Sequence, residues 1–241
     1  MYKALFEVSA NRREFVSRLF SRTPSGRLTE KSTAAEIFEA LHDVAASQTL
    51  HDETLETVRR QLVTIHRFAL SDRDWSEIEY AFDAFTTFGP RLNYLSTGTD
   101  SYGGSPLPSY AESMTATDAD GAAHSYLSTE DSFRFLKDLE GRNLIVPVVG
   151  DFAGPKAIRA IGGYVRDRGA TVSAFYLSNV ELYLYRELSW HSFCRNAATL
   201  PLDESSVFIR SAFDGRYGRG FGLNQDFGRM LPELEHCAAS Q

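Results

Sequence analysis

The sequence predicts an α/β fold, and three observations carry that prediction. Apolar stripes of helical period run through residues 1–89, a continuous apolar run at 144–149 leads into a glycine-flanked turn, and helix and strand patterns alternate from 129 to about 213. The 241 residues, 43% of them hydrophobic, suffice for one large domain or two small ones.

Leu5, Phe6, Phe15, Val16, Leu19 and Phe20 form the first stripe, which ends at the Thr23–Pro24–Ser25–Gly26 turn. Thr33 with Glu36 reads as a capping box that opens a helix through Ile37, Phe38 and Leu41. Leu55, Val58, Leu62 and Ile65 repeat at three and four. Ser71 caps a fourth helix, which carries Trp75, Ile78, Phe82 and Phe85 until Gly89 and Pro90 stop it. Such stripes mark core faces, so residues 1–89 are expected to be a helical portion packing on a sheet.

Residues 90–128 read as a long loop or lid. Ser96, Thr97, Gly98, Ser101, Gly103, Gly104, Ser105, Pro106 and Pro108 break any periodicity, and Tyr94, Tyr102 and Tyr110 are interspersed. A loop this long is either functional or unstructured. Ser128 with Asp131 then suggests a variant capping box for a helix through Phe133, Phe135, Leu136 and Leu139 to Gly141.

The stretch 144–177 reads as a β-α-β unit. Leu144, Ile145, Val146, Pro147, Val148 and Val149 suit a strand buried on both faces, although Pro147 cannot donate to a ladder. The following helix has Pro155 at its first position, Ala157, Ile158, Ile161, Tyr164 and Val165 as its inner stripe, and Gly169 as its C-terminal stop. Residues 171–176 return as a strand, parallel to the first, and Ser206–Ile209 form a third. The glycine-rich residues 214–241, with Arg216 and Arg219, are expected to be a disordered tail.

Ligands gather at the carboxyl ends of parallel strands, which singles out two turns. In the first, Gly150, Asp151, Phe152 and Gly154 precede Lys156 and a helix N-terminus. Small residues there either let a ligand approach the free N–H groups or make a tight turn, and the spacing matches neither common phosphate-binding pattern. Asp151 either accepts hydrogen bonds from a ligand or caps the helix. In the second turn Ser178, Asn179 and Glu181 offer a hydroxyl, an amide and a carboxylate to a substrate, with helix capping by Asn179 as the alternative. A shared cleft between these two turns is the central expectation.

Other chemistry is excluded or weakly signalled. The net charge of −7 argues against general nucleic-acid binding, and no apolar run approaches a membrane span. Neither a zinc-ligand spacing among the six histidines nor a G-x-S-x-G elbow is present. His191 reads as either pocket-lining or a surface residue. Cys194 and Cys237, distant in sequence, suggest neither a disulfide framework nor a metal site, which makes a reducing cytoplasm the default.

The strings RNLIVPVVGDFAGPKAIRAIGGYVRDRGATVSAFYLSNVELYLY, ATLPLDESSVFIRS and YAESMTATDADG…SYLSTEDSFRFLKDLE carry a resemblance. They resemble a bacterial family whose members have a Rossmann-like domain similar to class I S-adenosylmethionine-dependent methyltransferases. The resemblance covers most of residues 1–213 and is most specific over 125–211. It implies a mostly parallel Rossmann-like sheet in which 148–154 is the third strand and its acidic turn, with Asp151 and Phe152 flanking an adenine. The turn at 178–181 would end the fourth strand and face a substrate, and Ser206–Arg210 would be the fifth.

In similar proteins the glycine-bearing first strand and the acidic end of the second lie upstream of the helix that begins here at Tyr2. The resemblance therefore predicts a sheet of few strands without the glycine-rich cofactor loop or the ribose-binding acid. Either the chain start is truncated, or the protein is a degenerate relative. Two functions follow as expectations. One is methyl transfer from S-adenosylmethionine to an unidentified acceptor. The other is non-catalytic binding or interaction on a fold that has lost its cofactor. Nucleotide or phosphate binding at Gly150–Lys156 is a third.

Overall fold

A computed structural model describes residues 1–96, 107–213 and 223–239, which form two compact units, Met1–Val146 and Pro147–Gln241. The fold is α/β, with a small mixed sheet.

The first unit is helical among its described residues: α1 (Tyr2–Val8), α2 (Arg12–Phe20), α3 (Ala34–Glu39), α4 (Gln48–Arg59), α5 (Asp72–Phe88), α6 (Tyr110–Thr115) and α7 (Glu130–Gly141). The first sequence stripe is real but belongs to two helices, because Asn11 breaks the run and caps α2 by accepting from the Glu14 N–H. Leu5, Phe6, Phe15, Val16, Leu19 and Phe20 all lie in the core. The Thr33–Glu36 capping box forms with both of its bonds, and Ser71 caps α5 in the same way with Asp74. The stripe of the third helix fails at its end. Arg60–Ile65 continue α4 as a π-helical turn, whose extra residue rotates Ile65 out to solvent while Leu62 stays buried.

The helix read from Ser128 starts one residue later, with Thr129 as its cap. Its Phe133 is buried with Phe6 and Phe15, so α7 belongs to the first unit rather than to the α/β portion. Within 90–128, Tyr110 is no lid residue. It sits on α6 and packs edge-on against Phe20 and Phe85, and its hydroxyl bonds that of Tyr126. Thr97, Gly98, Ser101, Tyr102, Gly103, Gly104, Ser105 and Pro106 fall outside the described residues.

The centre of the first unit holds an ion pair that the stripes did not announce. Arg12 is buried on α2, and its Nε donates to Glu130 Oε1 at 3.0 Å. Its Nη1 donates to the carbonyls of Leu127 and Ser128, and its Nη2 to those of Glu30 and Ser32. All five guanidinium donors therefore have partners, which is the condition under which a charge can be buried.

The second unit comprises α8 (Ala157–Arg166), β1 (Ala174–Ser178), α9 (Val180–Arg186), α10 (Trp190–Ala197), β2 (Val207–Phe213), β3 (Leu223–Arg229) and α11 (Met230–Ala239). β1 pairs parallel with β2, and β2 pairs antiparallel with β3. One face of the sheet, with Phe175, Leu177 and Phe208, packs with Ile158 of α8, Phe193 of α10 and Met230 and Leu234 of α11. The other face leaves Tyr176 and Phe227 exposed.

Several expectations are corrected here. Leu144–Val149 are not a buried strand. They pair with no neighbour, and Leu144, Ile145, Val146, Val148 and Val149 are all exposed, Val149 completely. An apolar run records composition, and without a partner strand it has no ladder to join. Residues 223–239 are likewise no disordered tail, since β3 and α11 close the core of the unit; Arg216 and Arg219 lie outside the described residues. The strand read at 171–176 exists but is shifted to 174–178, and the one read at 206–209 runs from 207 to 213. Tyr164, assigned to the inner stripe of α8, is exposed beneath the Arg168 guanidinium.

Candidate functional site

The first predicted turn is built; Gly150 and Asp151 are exposed, and Asp151 bonds within the turn while Phe152 packs inward. Asp151 Oδ1 accepts from the Ala153 N–H at 2.8 Å, and Asp151 O accepts from the Gly154 N–H at 3.2 Å. Asp151 thus folds its own turn and does not cap α8, which starts at Ala157 rather than at Pro155 and whose N-cap residue Lys156 makes no side-chain capping bond. Phe152 points into the core, 6.0 Å from the ring centre of Phe175 and 6.3 Å from that of Phe193. A Cβ at Gly150 would run into Ala157, and one at Gly154 would press on Asp151, so local packing accounts for both glycines.

The clamp on this turn comes from Asn196, a buried residue of α10. Its Nδ2 donates to Phe152 O at 3.1 Å and to Gly154 O at 2.8 Å, while its Oδ1 accepts from Arg159 Nε at 2.8 Å. Two of the four bonds an amide can make therefore hold the corner, and a third ties the amide to α8.

The second turn, residues 178–181, is half-buried throughout. Ser178 ends β1 with φ of 51°, at a register irregularity opposite Arg210. Asn179 occupies the N-cap position of α9 but makes no side-chain capping bond, so neither the amide's capping reading nor its substrate reading gains a contact. Hydrogen bonds from Ser211 and Ser178 hold the exposed Tyr176 phenol below its usual pKa. Glu181 accepts from Arg210 Nε at 2.8 Å.

Arg210 organises what lies around Glu181. Its guanidinium rests over the Phe208 ring at 4.6 Å and also pairs with Glu233 of α11. Two carboxylates around one guanidinium leave a net negative charge. That charge is felt at Tyr185, where burial is the largest cause raising the phenol's pKa, Glu181 and Glu233 add to it, and Arg210 opposes it. Gly228 lies against this group, and a Cβ there would push the ends of the Glu233 and Arg210 side chains aside.

Glu233 also lines a pocket of about 420 Å³ with Tyr185, Trp190, His191, Pro232, His236 and Cys237. Tyr185 and Trp190 stack at 4.5 Å with their planes 24° apart. His191 Nδ1 lies 3.4 Å from the Cys237 carbonyl oxygen, and His191 is both exposed and part of the pocket lining, so both of its readings describe it. Cys237 is joined to Cys194 by a disulfide with a Cα–Cα distance of 6.1 Å, which ties α11 to α10. That bond corrects the expectation of two independent cysteines and removes their argument for a reducing compartment.

The structure therefore connects only part of the predicted set. Glu181 reaches the pocket through Arg210 and Glu233, whereas Gly150, Asp151, Phe152 and Gly154 do not line it, and neither do Ser178 and Asn179. Sequence reasoning missed Arg210, Glu233 and the clamping role of Asn196. A weak signal existed for Arg210, an arginine inside a mostly apolar strand, but Glu233 fell in the segment read as a tail. Among the described residues, no group of three or more His, Cys, Asp or Glu side chains could hold a metal ion, and no helix is long and apolar enough to cross a membrane. A search among curated proteins finds no match. A family model described as Domain of unknown function (DUF7790) matches residues 1–226, so the chain belongs to that family.

Proposed function

We propose that this chain is a non-catalytic binding protein whose second unit is a Rossmann-like remnant that takes a small molecule without S-adenosylmethionine at the Gly150–Gly154 turn. The observation that carries this reading is the closure of that turn: the Phe152 ring is packed against Phe175 and Phe193, and the Phe152 and Gly154 carbonyls are taken by Asn196. An adenine placed there would displace the half-buried Phe152 ring and leave the buried Asn196 amide without partners, at about 1–3 kcal/mol for the amide alone.

Calorimetric titration of S-adenosylmethionine tests it, run alongside Asp151→Ala. No heat, or heat that Asp151→Ala leaves unchanged, supports the proposal. Heat that is lost in Asp151→Ala with the melting temperature retained overturns it. A second reading, S-adenosylmethionine-dependent methyl transfer to an unidentified acceptor, draws support from one specific feature. The strands that the resemblance numbers fourth and fifth are neighbours in a parallel pair, β1 and β2, and Glu181 stands just beyond the carboxyl end of β1.

A further inference from the structure

The pocket beside Glu233 has a chemistry that selects among ligands. Its lining offers an indole, a phenol, two imidazoles and a carboxylate, with no lysine or arginine among the lining residues. Aromatic faces carry a negative quadrupole that attracts cations, and Trp190 is the strongest such face available to a protein. Arg210 pairs with Glu233 but is outnumbered by Glu181 and Glu233. With Nδ1 turned to the Cys237 carbonyl, His191 presents its other ring nitrogen as an acceptor in the neutral form.

The walls are also held in place. The disulfide between Cys194 and Cys237 fixes α11 against α10, and both cysteines are buried. Met230 and Leu234 anchor α11 in the core, so Glu233 projects from a fixed helix, and the Arg210 pair sets the direction of its carboxylate. A volume of about 420 Å³ admits a molecule of some ten non-hydrogen atoms and falls within the range of small-molecule sites.

We infer that this pocket binds a small organic ammonium ion, with the cationic head between the Trp190–Tyr185 pair and the Glu233 carboxylate. An anionic ligand would meet the Glu233 charge, and an uncharged one would forgo the attraction of both rings and carboxylate. The inference rests on reading the chain as a small-molecule binder but not on the fate of the Gly150 turn. Loss of S-adenosylmethionine heat in Asp151→Ala would therefore overturn the earlier proposal and leave this one standing.

The test is a ¹H–¹⁵N chemical-shift titration of the full chain with choline and with 3,3-dimethylbutanol, its uncharged carbon isostere. Choline is expected to saturate with a Kd on the order of 1 mM, and the isostere to bind at least about tenfold more weakly. Glu233→Gln keeps the acceptor for Arg210 and removes the charge, and it should weaken choline about tenfold. Trp190→Leu should weaken it similarly. If that variant fails to fold, Glu233→Gln decides. Equal binding of choline and its isostere would overturn the inference, as would unchanged affinity in Glu233→Gln or no saturation below about 100 mM.

Discussion

Arg12 in the first unit and Arg210 in the second are both inward-facing arginines paired with glutamate, yet their surroundings differ in a way that separates architecture from chemistry. Arg12 is 1% exposed, its partner Glu130 is nearly as buried, and its remaining four donors end on carbonyls of the same unit. Nothing is left over to meet a ligand. Arg210 donates to two carboxylates, and one of them, Glu233, is 40% exposed and lines a pocket. A closed charge cluster locks a fold, whereas one that leaves an unbalanced carboxylate at a cavity can recognise something.

The comparison can be broken most forcefully at Arg12. Arg12→Ala would leave Glu130 buried without its partner and should cost about 3–5 kcal/mol. Arg12→Lys should recover only part of this, since an ammonium has three donors for five acceptor sites. The chain's two tryptophans report the units separately, Trp75 in the first and Trp190 in the second. Denaturation followed by fluorescence in Trp190→Phe and Trp75→Phe backgrounds should place the Arg12→Ala loss in the first unit. Next in size is Asn196→Leu, which removes three hydrogen bonds while keeping the volume, and should cost the second unit about 1–3 kcal/mol. Arg210→Ala should cost that unit less than Arg12→Ala costs the first, about 1–2 kcal/mol, because solvent reaches the Glu233 end of the pair.

The smallest effect is a change in acid sensitivity. Glu7 of α1 accepts from Lys3 at 2.9 Å and lies 2.6 Å from His66 Nε2. Burial, the largest single cause, raises its pKa, but the bonds from His66 and Lys3 together bring it below the ordinary 4.5. A carboxyl whose pKa falls on folding stabilises the folded state above its unfolded value, and that contribution disappears as the pH drops through the folded value. Melting curves between pH 6 and pH 3, a range chosen to span roughly the usual carboxylate pKa, should therefore show a shallower acid slope in Glu7→Gln. An unchanged slope would mean the contacts around Glu7 do not depend on its charge.

How much the sequence revealed depends on how far apart the partners lie. The capping boxes at Thr33–Glu36 and Ser71–Asp74 involve residues three apart, and the first of them was legible with its helix. The core stripe through Leu5, Phe6, Phe15 and Leu19 was legible too, since periodicity is local. Arg12 and Glu130 are separated by 118 residues, Asn196 and Gly154 by 42, and the two cysteines by 43. No local pattern connects such pairs. The run Leu144–Val149 misled for the opposite reason, because its composition matched a buried strand while burial depends on a neighbouring strand that composition cannot supply.

The candidate site divides along the same line. That polar groups gather beyond the carboxyl end of β1 followed from a general property of parallel strands, and Glu181 proved to be tied to a pocket through Arg210. Whether a glycine-flanked corner is open or shut turns on whether a distant amide reaches it, and only the fold reveals that.

The closed corner is tested most directly by the backbone amide resonances of Ala153 and Gly154, recorded with and without excess S-adenosylmethionine. The account predicts that both stay in place, since their N–H groups are held by Asp151 and no ligand enters. Saturable movement of both signals, lost in Asp151→Ala, would contradict it.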